Sequence, residues 1–223
     1  MFLPAGLARV DSHAPELTSV SEAERLYAAA ALEGIVDRTA FEQALAGYEK
    51  IDRKRKSILV VIDFTKPSTE ERFYVIDMKR EKLLYVSHVS HGRNSGENYA
   101  TSFSNVNGSH KSSLGFYLTD NVYTGRNGYS LILDGLEEGI NDRARERAIV
   151  IHGAAYSNPS AIAGGGRLGR SHGCPALPEA VSRPIIDAIK GGAVIYIYAD
   201  DYDYMARSAF LAVPEGRVRT AGL

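Results

Sequence analysis

The rhythm of apolar and polar positions changes near residue 50. Before it, Phe41, Leu45 and Tyr48 recur at i, i+4 and i+7 and mark one helical stripe. Ser21-x-x-Glu24 and Thr39-x-x-Glu42 have the form of capping boxes. The pattern therefore predicts a short helix opened at Ser21 and ended at Gly34, and a second opened at Thr39. Residues 1–18 carry Pro4, Gly6 and Pro15 and read as an irregular leader. After Lys50 the apolar residues fall in short runs. Strands are predicted over residues 58–64, 72–78, 82–89, 115–119, 130–134, 148–151 and 193–199, joined by Gly-, Asn- and Ser-rich connections. Lys79-Arg80-Glu81 reads as a hairpin turn, and Asn127-Gly128 as another. One further helix is predicted over 179–190, with Pro184 forcing an offset or late start and Gly191-Gly192 ending it.

Many short strands with few helices between them predict a mainly β fold, a sandwich or barrel with a few peripheral helices. The simplest division is a leader and helical extension over 1–50, a catalytic domain over 51–200 and a tail over 201–223. At 223 residues the chain suffices for one well-buried domain plus a small helical appendage. Its 44% hydrophobic and 24% charged residues are those of an ordinary soluble protein. A net charge of −1 argues against nucleic acid or an anionic membrane as main partner. No run approaches the length of a transmembrane span. The first residues lack the basic and apolar regions of a secretory signal.

Cys174 is the only cysteine, so no internal disulfide is possible and the thiol is free. It sits in Arg170-Ser171-His172-Gly173-Cys174-Pro175, and His152 closes an apolar run 22 positions earlier. A thiol reacts as thiolate and needs a base or a positive field. A histidine at a strand end is held more rigidly than one on a loop, so His152 is the expected base. His172 and Ser171 are then neighbouring structural or substrate-contacting groups. Pro175 has no N–H, so the oxyanion donors are expected in the Gly173–Cys174 backbone. Arg167 and Arg170 add positive potential suited to a thiolate or a substrate carboxylate. Tyr156 and Tyr123 are candidates for lining a groove. No histidine or acid spacing marks a metal site, and Gly164-Gly165-Gly166 does not continue as a phosphate loop. No cofactor is expected.

With Ser171-His172-Gly173-Cys174 and the upstream His152-Gly153, the chain resembles the L,D-transpeptidase catalytic domain family of bacterial cell-wall enzymes. It is most similar to the branch in which Pro-Ala follows the cysteine, as in Cys174-Pro175-Ala176. Supporting segments are His91-Gly92-Arg93-Asn94-Ser95-Gly96, Phe103-Ser104-Asn105 and Ser112-Ser113-Leu114-Gly115, and the resemblance spans residues 41–199. It implies a β-rich domain whose cysteine attacks the peptide bond after a meso-diaminopimelate centre in a peptidoglycan stem tetrapeptide. D-alanine leaves, and an amine from a second stem resolves the acyl-enzyme. It also implies action in the periplasm or cell envelope. Cys174 takes the place of the nucleophile and His152 of the base, oriented by a backbone carbonyl. Two features depart from the pattern. The His152-to-Cys174 spacing is long, which marks Ala163-Gly164-Gly165-Gly166 as a local insertion, and the usual apolar-Arg or apolar-Asn pair is absent after Cys174. An L,D-carboxypeptidase using water, and a non-catalytic cell-wall binding module, are the competing readings. Papain-like and caspase-like folds place cysteine and histidine in other orders or spacings.

Overall fold

Two of the most apolar segments lie side by side at the middle of one sheet. In a computed structural model that describes residues 21–211, β1 (Ile58–Asp63) pairs in parallel with β8 (Val194–Tyr198), Leu59 opposite Val194 and Asp63 opposite Tyr198. Both are buried on both faces, which is why their sequences do not alternate. Outward from β1 lie β2 (Phe73–Asp77) and β3 (Lys82–Ser87), each antiparallel to its neighbour. Outward from β8 lie β4 (Gly115–Gly125), β5 (Gly128–Gly135), β6 (Val150–Gly153) and β7 (Ala176–Leu177). The eight strands run in the order β3-β2-β1-β8-β4-β5-β6-β7. The chain leaving β3 then meets β7 through bridges at Ser90–Ala176 and Gly92–Ser171. The sheet is a nearly closed barrel, which leaves little unpaired edge.

The mainly β expectation holds, with local corrections. β4 and β5 outrun the predicted strands because the hairpin extends past the core, where β4 becomes exposed. β6 is displaced to end on Gly153, and β7 is too short to leave a periodic signal. The second helix, α2 (Arg38–Lys50), is capped by Asp37, whose Oδ1 accepts from Ala40 N at 2.8 Å, rather than by Thr39. Ser21 caps α1 (Glu22–Ala29) as predicted, accepting from Glu24 N at 3.2 Å. The glycine run read as an insertion contributes to a short helix, α3 (Ser160–Gly165). α4 (Glu179–Ile189) neither starts late nor shifts at Pro184. The lost backbone bond is outweighed by burial of Ile185, Ile186 and Ile189. Part of the predicted tail forms α5 (Tyr202–Arg207), which buries Tyr204. The leader over 1–18 and the tail beyond 211 lie outside the described residues.

Buried Arg72 ties the barrel to the loop that leads toward β7. It donates to Val89 O and Lys66 O, and its Nη2 lies 2.8 Å from His91 Nδ1. Burial pushes the guanidinium down to about 9 and His91 down to about 4, so His91 is neutral and accepts at Nδ1. Its Nε2–H then points to Gly96 O, 3.3 Å away. His88 contacts Thr69 O, so the two histidines serve backbone contacts.

α1 and α2 share the core of the sheet, burying Leu26, Tyr27, Phe41 and Leu45. At Gly47 the helix lies directly on a β4 ring: an added Cβ would stand 2.1 Å from Phe116 Cζ. Helix propensity favours Gly47→Ala by roughly 1 kcal/mol, whereas overpacking costs about 1–3 kcal/mol. The variant is expected to be less stable than wild type in urea unfolding. A gain in stability would show that α2 does not rest on Phe116.

Candidate active site

The parallel pairing of β6 with β7 sets His152 opposite Ala176 and Gly153 opposite Leu177. Residues 171–175, entering β7, therefore run beside residues 147–151, entering β6. Two glycines permit this approach. A Cβ on Gly153 would lie 2.4 Å from Ser182 Oγ of α4. Gly173 has φ +121°, and a Cβ there would meet Lys111 O at 2.8 Å and Ile149 Cδ1 at 3.0 Å.

Cys174 is 8% exposed at the floor of a cleft. Its Sγ lies 3.6 Å from Ala148 O, to which the thiol donates. Ala148 holds φ +53°, a left-handed conformation uncommon outside glycine, and its carbonyl serves the sulfur. Burial pushes the thiol up. The Val150 N–H and the Arg147 guanidinium oppose that shift without overcoming it. Among the described residues, the thiol and the His152 imidazole share no hydrogen bond.

His152 Nδ1 lies 3.0 Å from Gly153 O. A carbonyl only accepts, so the ring proton sits on Nδ1 and Nε2 is left as an acceptor. Burial lowers the imidazole pKa below its ordinary value, which keeps the ring neutral. Tyr156 meets this ring edge-on, with centroids 6.5 Å apart at 76°. Burial pushes the Tyr156 hydroxyl up to about 12, so it stays protonated.

Ser171 pins the loop from within. Its hydroxyl donates to Cys174 O at 2.6 Å and accepts from Gly173 N at 3.0 Å. The Gly173 N–H is thus engaged in this structure, while Ser112 Oγ donates to Gly173 O at 3.3 Å.

The cleft, about 330 Å³, brings together Cys174, His152, Tyr156, Arg170, Ser171 and His172. Gly173 packs on Lys111 and Ile149. Arg167 is not part of the lining; its guanidinium lies 2.9 Å from Glu97. Arg170 pairs with the same carboxylate at 2.8 Å and also donates to Arg93 O and Gly96 O. Exposed His172 stacks on His110, centroids 4.2 Å apart at 18°, with Arg93 Nη1 3.5 Å from its Nε2. Tyr123, 43% exposed, stands on the outer part of β4 and packs against Gly125.

Sequence reasoning missed three contributors. Arg126 and Asn127 form the tip of the β4–β5 hairpin, where Gly125 faces Gly128, and both line the cleft. The Asn127-Gly128 signal marks the turn but not where the hairpin leads. Arg147 packs beneath Gly173, its Nη2 3.4 Å from the position of an added Cβ. Nothing in its local sequence distinguishes it from Arg143 and Arg145.

Residues 33–198 match the L,D-transpeptidase catalytic domain family. No curated protein sequence matches the chain. Among solved structures, it is similar to an L,D-transpeptidase from Mycobacterium smegmatis (15% identity, TM-score 0.40, 64% of this chain and 59% of that one). It is also similar to L,D-transpeptidase 1 from Mycobacterium tuberculosis (13%, TM-score 0.36, 64% and 62%). A third is the helical cell shape determining protein Pgp2 from Campylobacter jejuni (14%, TM-score 0.45, 71% and 55%). The chain thus spans less than two thirds of the length of each of these proteins. Because the family match runs through most of its length, with the cysteine and histidine segments inside it, the chain belongs to the L,D-transpeptidase catalytic domain family.

Proposed function

We propose that this chain transfers peptidoglycan stem peptides through a thioester on Cys174. The observation that carries the reading is a cysteine and a neutral histidine of fixed tautomer on one cleft, with Nε2 left as an acceptor. Rotation about Cα–Cβ takes the thiol from Ala148 O toward Nε2, which removes its proton. The thiolate attacks the carbonyl of the bond between the diaminopimelate centre and D-alanine, forming a C–S bond. Negative charge on the carbonyl oxygen is met by the Cys174 N–H. Gly173 N–H joins it where Ser171 releases that amide, and Pro175 has none to offer. Collapse breaks the C–N bond, and the His152 imidazolium returns its proton to the departing D-alanine amine. An amine of a second stem then gives a proton to His152 and attacks the thioester, restoring the thiol.

Arg170 is paired with Glu97, but Arg126 also lines the cleft, and among the described residues no acidic side chain does. That lining suits a stem peptide with free carboxylates. Such a substrate places the reaction at the cell wall, in the periplasm or envelope. Among the described residues no helix is long and apolar enough to cross a membrane.

Incubation with disaccharide-tetrapeptide followed by mass analysis is expected to give a cross-linked dimer and D-alanine with wild type, and neither with Cys174→Ala. Tripeptide with D-alanine alone would replace transfer by hydrolysis, and no Cys174-dependent product would remove both. Burial lowers His152, so the base stays unprotonated down to a pH below 6.5; it raises the thiol above 9. The kcat/KM profile is therefore expected to lose activity on the acid side only below pH 6.5. His152→Ala should abolish that limb and lower kcat/KM by about 10²–10⁴. An acid limb centred above 6.5 would contradict a buried neutral base. Arg126→Gln is expected to raise KM with little change in kcat for stems bearing free carboxylates, and to leave KM unchanged for amidated ones. Equal effects on both would remove Arg126 from substrate recognition.

A further inference from the structure

Arg147 is half-buried and has no acidic partner among the described residues. Its Nη1 donates to Ser104 O at 2.7 Å and Ser113 Oγ at 2.5 Å. Its Nη2 donates to Lys111 O at 2.6 Å and Ser109 Oγ at 3.3 Å. Every one of these acceptors is neutral. They orient the guanidinium without cancelling its charge, and an arginine does not shed that charge by losing a proton. A partly desolvated cation of this kind is stabilised by an anion that stands beside it for at least part of the time.

The group next to it is the nucleophile loop. Lys111 O, which Arg147 holds, is also the atom nearest to where a Gly173 side chain would begin. Arg147 leads directly into Ala148, whose carbonyl accepts the Cys174 thiol. Other charged and titratable groups nearby are accounted for. Tyr117 donates to Ser113 O and burial holds it protonated, and Tyr156 is likewise protonated. Lys111 Nζ is turned to Ser102 Oγ at 2.6 Å. His152 is neutral, Arg170 is neutralised by Glu97, and Arg126 and His172 line the cleft. Cys174 is the group in this neighbourhood that becomes an anion during the reaction.

We infer that Arg147 is the fixed counter-ion of the Cys174 thiolate, held in place by the segment 104–113 and acting through the sulfur rather than on substrate. The inference rests on Cys174 being the nucleophile. It separates two duties that an imidazolium would otherwise combine: His152 moves the proton, and Arg147 holds the charge left behind. It also gives the chain a cation near the sulfur although the residues after Cys174 are Pro175 and Ala176.

The test is the pH dependence of Cys174 alkylation by iodoacetamide, which needs no substrate. In Arg147→Gln the midpoint is expected to rise by about one pH unit, equivalent to about tenfold less thiolate at neutral pH. The limiting rate at high pH should hold or increase slightly, because a more basic thiolate is the better nucleophile. Arg147→Lys should return the midpoint most of the way. A purely structural role would lower the limiting rate in both variants and leave the midpoint in place, and an unmoved midpoint in folded Arg147→Gln overturns the inference. Wild type supplies a measurement free of any folding defect. Its ratio of iodoacetate to iodoacetamide rates should exceed that of glutathione, and a ratio at or below glutathione's also overturns it. Cys174-dependent turnover with an unmoved midpoint would reject this role and leave the transfer reaction standing. A shifted midpoint without turnover on stem peptides would do the reverse.

Discussion

The pairing of two residues of β7 with the end of β6 is the constraint on which the site depends. It brings the chain segment carrying Cys174 alongside the segment carrying His152, although 22 positions separate the two. Register leaves little freedom here. A slip of one residue in a strand turns every side chain to the opposite face. The pair is short, and support comes from outside it. Ser90 and Gly92 bridge to Ala176 and Ser171, and α4 packs on Gly153. Barrel closure and site assembly are therefore the same event, since the strand that closes the sheet is the continuation of the cysteine loop.

Burial shapes the chemistry twice. It lowers the His152 pKa, which keeps the imidazole neutral, and it raises that of Cys174, which opposes thiolate formation. The two shifts favour a resting state of neutral thiol and neutral imidazole. The proposed reaction creates a charge pair in a poorly solvated place, where fixed dipoles and charges act strongly. Backbone donors at Val150 and Cys174 and the guanidinium of Arg147 are the groups positioned to meet the sulfur's charge.

Hydrogen bonds and an ion pair hold the loop that bears Cys174 to its surroundings. Ser171 bridges Gly173 N–H and Cys174 O, Arg170 holds Gly96 O and Glu97, and His91, held by Arg72, accepts from Ser171 N–H through its carbonyl. Arg72 is fully buried and lies far from the cysteine in sequence, so its influence on the site runs through backbone contacts. The one group left with a choice is the thiol, which has Ala148 O on one side and the cleft on the other.

The sequence by itself determined the β-rich class, because short apolar runs separated by turn residues admit little else. It also marked the candidate site, since a single thiol among glycine, serine and histidine is readable without coordinates. The Ser21 cap, β1, β8 and the span of α4 were legible for the same reason: each rests on neighbours within a few residues. Tertiary structure alone decided where the arginines lie. Arg167 and Arg170, close to Cys174 in sequence, both pair with Glu97 and only Arg170 of the two lines the cleft, whereas Arg126 lines it from a hairpin tip and Arg147 packs beneath Gly173 from a loop. β7 and the length of the β4–β5 hairpin were equally closed to a linear reading, because strand pairing partners distant in sequence set them. Local propensity fixes what a segment prefers to be; only the packed chain fixes which side chains it will meet.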